Sequence, residues 1–354
     1  MTEAAPAPTD DVAVDPDGGS TRPPWLRWLW LLLPWTWFVV RGIHQVLELV
    51  AILLPILVVS AAAAALLMAA WRHDALFLGL FGSLLVFYVV AVVLPGRPID
   101  SPVPEASTRF AAINLAQQWF SDNDVGFFVL DREVEVFVGV ELRETHDVIL
   151  RERFDHALTD LSGFPPNPEP ADGTPDLQST YRRNDFPSIG IYSNHEIIRL
   201  PDPIADRVEG GLPGFRAQIA TDKGDVVVYA LHVPRPGRGT GVFEVRLSDQ
   251  DEILRAISDA ISAEELPVVV IGDLNIVDRG PTFGDFTAEL TDVMRIDRWA
   301  GPTRKRDLRH TVLQLRIDHL LVSTDLCATN AETRNVLFTD HTPIQADIGP
   351  CPAA

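Results

Sequence analysis

The sequence predicts a mixed α/β domain of two packed sheets, carried behind apolar helices long enough to cross a bilayer. Three observations lead there. Beyond residue 108 the chain holds eight apolar segments of strand length separated by polar stretches. Among them, residues 248–265 ("SDQDEILRAISDAISAEE") place Ile253, Leu254, Ile257 and Ile261 at helical spacing. Ahead of them, residues 49–71 and 75–95 are uncharged over about the 20 residues that a membrane helix needs. Strands with interposed helices and two buried faces point to an α/β or α+β arrangement.

The composition agrees with a divided chain. A net charge of −20 sits beside 47% hydrophobic residues and a mean hydropathy of +0.11, so apolar and charged residues must be segregated. Residues 1–100 carry 8 acids against 5 arginines, and residues 101–354 carry 41 acids against 24 basic residues. The C-terminal part is therefore acidic. A nucleic-acid binder usually presents a basic footprint, so this charge weighs against DNA or RNA as a partner. The two cysteines, Cys327 and Cys351, have no zinc-site spacing; they read either as one disulfide or as two free thiols.

Residues 1–24 are rich in Ala, Pro, Asp and Gly without an apolar pattern and read as a disordered tail. Their first 20 residues lack the basic residue of an ordinary signal peptide. Residues 25–96 read as a membrane anchor of two or three transmembrane helices. Leu49–Trp71 and Ala75–Pro95 are two spans joined by Arg72-His73-Asp74. The Trp-rich stretch Trp25–Arg41, interrupted by Pro34, is either a third span or a helix lying in the interface. The three-span reading is favoured because that stretch is very apolar. It sets Arg22, Arg27 and Arg72 in the cytoplasm and the C-terminal domain outside, whereas two spans would put the domain inside. Residues 97–108 read as a Pro-rich linker, and residues 109–350 as one folded domain. Within it, Ser248 and Asp251 resemble a capping box, and Ser162–Asp185 reads as a long surface loop.

Polar residues collect where the apolar segments stop. Asn114 follows "FAAI", Glu141 follows "VFVGV", His232 follows "VVVYAL", and Asp273 and Asn275 follow "VVVI". Asp318 and His319 interrupt "LQLRIDHLLVS", and Asp340 and His341 precede "TPIQADI". Each residue alone has an ordinary role, since Asn and Asp make turns and a strand-end His is more often structural than catalytic. As a set they have chemical logic. Glu141, Asp340 and the amide oxygen of Asn114 are hard oxygen ligands suited to Mg2+. Two histidines and the remaining acids supply proton transfer and charge stabilisation.

In this order the motifs resemble the endonuclease/exonuclease/phosphatase superfamily, which includes DNase I-like nucleases, inositol-polyphosphate 5-phosphatases and neutral sphingomyelinases. The resemblance runs from about Phe110 to Pro350 and rests mainly on "GDLN" and the terminal "DH". It implies a DNase I-like four-layered α/β sandwich and hydrolysis of a phosphoester with Mg2+ or Mn2+. Glu141 would be the main metal ligand, assisted by Asn114 and Asp340. Asp273 would orient or deprotonate the attacking water, and Asn275 would position the phosphate. His232 and His341 would contact phosphate oxygens, with Asp318 fixing His341.

The motifs depart from the family's pattern in places. "VEL" replaces the commoner Gln-Glu around Glu141, and Asn194 stands where Arg is frequent. Lys223 and Lys305 are the only lysines, so Arg216, Arg235 and Arg238 are candidate phosphate contacts. The apolar anchor is similar to a bacterial membrane-anchored subgroup, some members of which are linked to teicoplanin resistance. That similarity implies an outward-facing domain and a lipid or lipid-linked phosphate substrate. Two alternatives stay open: a Mg-dependent nuclease, which would share every catalytic residue, and an inactive anchored binding domain.

Overall fold

The structure is a computed structural model, described here for residues 24–41, 46–115, 129, 133–161, 188–236, 244–245, 247–304, 313, 315–334, 336 and 339–352. Residues 1–23 of the predicted N-terminal tail, the predicted loop at 162–185 and Arg238 lie outside the described residues.

Two helices are long and apolar enough to cross a membrane, Leu47–Arg72 and Ala75–Gly96, with mean hydropathies of 2.7 and 2.6. The first lies in helix α1 (Val46–Arg72); the second begins as α2 (Ala75–Tyr88) and continues as tighter and looser turns to Gly96. Asp74 caps α2, its carboxylate accepting from the Leu76 amide at 2.9 Å. Leu53, Leu57 and Leu67 of α1 and Leu78 and Val86 of α2 are exposed. The helices are thus apolar on their uncovered sides as well as where they pack, unlike an amphipathic surface helix. The Trp-rich stretch differs from a regular α-helix. Pro24–Thr36 is a 3-10 helix that includes Pro34, followed by one α-helical turn, Trp37–Val40. It lies along α2, where Ser83 Oγ donates to the Leu31 carbonyl (2.7 Å) and accepts from Trp35 Nε1 (3.1 Å).

The acidic part builds two six-stranded mixed sheets. The strands of the first are β1 (Thr108–Asn114), β2 (Val136–Val140), β3 (His156–Asp160) and β4 (Ile189–Ser193), joined later by β13 and β14. The second takes β5 (Glu196–Arg199), β6 (Gly214–Thr221) and β7 (Gly224–His232). A short pair, β8 (Arg235–Pro236) and β9 (Glu244–Val245), stands apart. Then come β10 (Val268–Asp273), β11 (Leu290–Asp292), β12 (Asp318–Ser323), β13 (Leu326–Thr333) and β14 (Ile344–Pro350). The orders are β13-β14-β1-β2-β4-β3 and β11-β12-β10-β7-β6-β5. Each sheet has one parallel pair at its centre, β1 with β2 and β7 with β10; every other pairing within the two sheets is antiparallel.

Period-two alternation sends one face of each strand into the space between the sheets. Phe110, Ala112, Val138 and Ile191 of the first sheet meet Ala217, Val228, Ala230, Ile271 and Leu320 of the second. The opposite faces are covered by helices. Helix α3 (Glu144–Arg151) sets Leu150 against Phe137 and Tyr192. Helix α4 (Leu247–Ser262) buries Ile253, Leu254, Ile257 and Ile261 against Val227, Tyr229 and Val270. Each such burial is worth roughly 1.5–3 kcal/mol. Helix, sheet, sheet and helix make the predicted four-layered α/β sandwich. Helix α4 starts at Leu247, so Ser248 sits inside its first turn and bonds Asp249 rather than forming the predicted capping box with Asp251. A short helix α5 (Pro281–Phe286) follows the "GDLN" segment. Cys327 and Cys351 form a disulfide.

Candidate active site

The same alternation that packs the core also builds the site. Ala112, Ala230, Ile271 and Leu320 face the space between the sheets. Asn114, His232, Asp273 and Asp318 lie two residues from them on the same strands and therefore face the same way. The core between the sheets turns polar at the carboxyl ends of the two parallel pairs. Three of these residues form one row: His232 is paired with Asp273, and Asp273 with Asp318. Gly272 makes the close strand approach possible, because at its φ of +139° a Cβ would run into the Leu231 carbonyl.

Asn114 joins the two sheets. Its Nδ2 donates to Asp273 Oδ2 (2.9 Å) and to Glu141 Oε1 (3.1 Å). Glu141 also approaches His232 Nε2, at 3.7 Å. Glu141 and Asn275 hold left-handed backbone conformations, with φ of +53° and +50°. Such conformations are uncommon for residues other than glycine, although Asn tolerates them, and they cluster at functional sites. Asn275 donates its main-chain amide to Asp273 Oδ1 (2.9 Å) and its Nδ2 to the Val233 carbonyl (2.9 Å).

His341 Nδ1 faces both carboxylate oxygens of Asp318, at 3.0 and 2.9 Å. Burial disfavours the charged imidazole, but the Asp318 and Asp273 carboxylates outweigh it and push its pKa up to about 9. The pKa of the Asp273 carboxyl is raised as well, which for an acid favours the neutral form. Burial and the neighbouring Asp318 raise it to about 6, partly offset by His341, His232 and Asn114. Among the described residues, Asp273, Asp318 and His341 form a group whose ligand atoms lie within 4.8 Å of one another.

The eight predicted residues divide into this arrangement unevenly. Seven are linked to one another as described, from Asn114 through Glu141, His232, Asp273 and Asn275 to Asp318 and His341. Asp340 stands beside Arg304, whose Nη2 is 3.5 Å from Asp340 Oδ2. Of the predicted ligand set, Asn114 and Glu141 adjoin each other, and the buried Asp340 lies next to His341 in sequence. Asn114 turns its NH2 group, not its oxygen, toward the two carboxylates. Arg216 is held in a two-pronged pair with Glu264 (2.6 and 2.8 Å), which accounts for its charge. Arg235 lies on β8, three residues past His232.

Sequence reasoning missed three supporting residues. Arg304 bridges to the His341 segment. Thr303 Oγ1 accepts from the Ile317 and Asp318 amides, both at 3.0 Å. Thr339 Oγ1 donates to the Asn114 carbonyl (2.7 Å) and accepts from the His341 amide (3.1 Å). Only Thr339 left a signal, by preceding the Asp340-His341 pair. His319 alternates to the other face of β12, where burial and Arg316 lower its pKa to about 4 and its Nε2 meets the Ile276 carbonyl (3.0 Å).

A two-sheet sandwich with carboxylates, amides and histidines gathered at its strand ends can supply the base, charge stabilisation and metal ligands that hydrolysis of a phosphoester needs. The sequence model of the endonuclease/exonuclease/phosphatase family matches residues 144–341, more than half of the chain, and the chain belongs to that family. That match starts after Asn114 and Glu141. No curated protein matches. Among solved structures, an endonuclease/exonuclease/phosphatase from Beutenbergia cavernae DSM 12333 is similar in fold. It is 19% identical with a TM-score of 0.50, covering 71% of this chain and 74% of that one. A 3′ phosphatase from Neisseria bound to a product DNA hairpin is 15% identical with a TM-score of 0.47, covering 68% and 98%. An AP endonuclease from Archaeoglobus fulgidus is 12% identical with a TM-score of 0.47, covering 68% and 98%.

Proposed function

We propose that the protein is a membrane-anchored, metal-dependent phosphohydrolase that cleaves a phosphoester or pyrophosphate of a lipid or lipid-linked substrate by water attack on phosphorus. The observation that carries the chemistry is the buried row His232–Asp273–Asp318, with His341 paired to its end.

Asp273 is the group that orients the attacking water and takes its proton, and a carboxyl titrating near 6 suits that work at neutral pH. His341, kept charged by Asp318, neutralises charge on the phosphoryl oxygens. His232 serves the same oxygens from the neighbouring strand, and Asn275 positions the phosphate. The donors fit a hard divalent cation such as Mg2+ or Mn2+: Glu141 and the buried Asp340 are carboxylates, and the buried amide of Asn114 lies 3.1 Å from Glu141 Oε1. Glu141 and Asp340 would hold it, with Asn114 once its amide turns over. When bound, such an ion polarises a phosphoryl oxygen and acidifies water.

Anchoring rests on the two apolar helices and on the Trp-rich stretch beside them. At about 2.0 Å per 3-10 residue and 1.5 Å per α-helical residue, Pro24–Val40 reaches roughly 32 Å, close to the 30 Å of a hydrocarbon core. Its start lies by Gly79 through Trp28, and its end by Phe87 through Phe38, so it runs parallel to α2. Three passes then put the domain on the side opposite to Arg27 and Arg72. The disulfide supports an extracytoplasmic domain, since such bonds persist in oxidising compartments.

The test is phosphate release by the purified full-length protein with Mg2+ against phospholipids, a polyprenyl diphosphate, inositol phosphates and plasmid DNA. The reading expects turnover of a lipid substrate. Degradation of DNA with every lipid untouched replaces it with the nuclease reading. No turnover at all, with no metal binding, leaves the inactive binding domain.

A further inference from the structure

The anchor is bolted to the catalytic domain at a defect in its own helix. Pro55 lies inside α1 and has no amide hydrogen, so the Ala51 carbonyl lacks its partner in the helical ladder. Arg279 fills that place. Its Nε donates to the Ala51 carbonyl (2.6 Å), and its Nη2 to the Ile52 carbonyl (3.0 Å) and the Leu313 carbonyl (2.8 Å). The guanidinium is buried, and burial lowers its pKa against the pull of Asp278. One turn earlier, Glu48 accepts from the Thr282 amide (2.7 Å), and Gly280 leaves no room for a Cβ beside that carboxylate.

The residues that hold the helix belong to the segments that carry the site. Val277 follows Asn275 by two residues and Ile317 precedes Asp318; both pack with Ala51 and Leu54. The Leu274 amide donates to the Ile317 carbonyl (2.9 Å), tying the two segments together. The second apolar helix is held as well, by the Ala300 amide on the Gly96 carbonyl (2.9 Å), beside the half-exposed Trp299. Trp at such a place suits a membrane–water interface.

Helix length places this joint. The 26 residues of Leu47–Arg72 extend about 39 Å at 1.5 Å per residue, some 9 Å beyond a hydrocarbon core of about 30 Å. About six residues therefore project from the bilayer. Counted from Arg72 these are Leu47–Ile52, the stretch that meets Thr282 and Arg279.

We infer that the Arg279–Pro55 joint fixes the orientation of the site against the membrane surface, selecting a phosphate carried by a lipid in that leaflet over the same chemistry in solution. The inference rests on the membrane phosphohydrolase reading. Arg279 touches no reacting group; it is a specificity-determining residue through the helix it holds. Pro55→Ala restores an amide to the Ala51 carbonyl, which then competes with Arg279 Nε for that acceptor and weakens the joint while favouring the helix itself.

The test uses full-length protein in phosphatidylcholine vesicles carrying phosphatidic acid, a phosphomonoester, with the soluble monoester p-nitrophenyl phosphate assayed in parallel. Arg279→Ala and Pro55→Ala are each expected to lower kcat/KM on the vesicle-borne phosphate about tenfold and to leave the soluble ester within about twofold. The double variant is expected to be no worse than Arg279→Ala alone, since both changes act on one joint. Pro55→Ala with an unchanged ratio of vesicle to soluble activity overturns the inference, as does equal loss on both substrates. A wild type that cleaves the soluble ester and no vesicle-borne phosphate instead overturns the lipid reading, and this inference with it.

Discussion

Asp273 and Asp318 stand directly opposite each other across the antiparallel β10–β12 pair, and both are buried. Like charges so placed destabilise the fold, and they persist here beside His341, which is paired with Asp318. Asp273→Asn removes one charge and keeps the shape. Activity should fall by about 10²–10⁴-fold, the usual contribution of a general base, while the melting temperature holds or rises. Thermal melting beside phosphate release checks this; a variant that loses both activity and stability would assign Asp273 a structural role.

Activity should be bell-shaped in pH. As the proposed base, Asp273 would act only when ionised, so the rate should climb as pH rises through about 6. As the proposed charge stabiliser, His341 would act only as imidazolium, so the rate should decline as pH passes about 9. Asp318→Asn withdraws the charge that holds His341 up, and the alkaline limb should move to lower pH. Stability follows the same sign. The His341 contribution is complete below the ordinary histidine value of 6.5 and disappears as pH rises through about 9. A pH–rate profile with an alkaline limb unmoved in Asp318→Asn contradicts the pairing role.

Divalent cations should stabilise the protein. At a hundredfold excess over Kd, binding adds about 2.7 kcal/mol to the folded state. Thermal shift with Mg2+, Mn2+ and a chelator measures it. Glu141→Gln should reduce the shift while leaving the metal-free melting temperature close to wild type. Equal shifts in wild type and Glu141→Gln exclude Glu141 as a ligand.

The disulfide closes a segment between residues 24 positions apart, at the edge formed by β13 and the end of β14. A loop of that size contributes about 3 kcal/mol. Cys327→Ser should lower the melting temperature and leave kcat unchanged, because neither cysteine approaches the strand-end row. Thiol labelling of protein from unreduced membranes measures the bond directly, with no free thiol expected in wild type.

Much of the sandwich was legible because its strands alternate strongly. All eight predicted segments are strands, and the polar strand ends were readable as continuations of inward-facing positions, such as Ala112 to Asn114 or Ile271 to Asp273. Edge strands were not legible. Glu196–Arg199 is mostly exposed, and Leu326–Thr333 buries little beyond its first three residues, so neither carries a clear period. Ser248 was misread because its hydroxyl and Asp251 have the spacing of a cap without its backbone. Arg304 and Arg279 act through long-range partners. Arg279 and Ala51 are 228 positions apart, and no local pattern announces such a pair. The 3-10 form of Pro24–Thr36 was likewise hidden, because composition reports apolarity and not pitch.

The central claim is that this strand-end cluster hydrolyses a membrane-borne phosphate with a divalent metal. It is tested most directly by steady-state phosphate release from lipid vesicles, comparing full-length wild type with His341→Ala in Mg2+. Wild type should turn over the lipid, chelation should abolish turnover, and His341→Ala should lower it by at least about a hundredfold with the fold intact. Full turnover in His341→Ala would contradict the account.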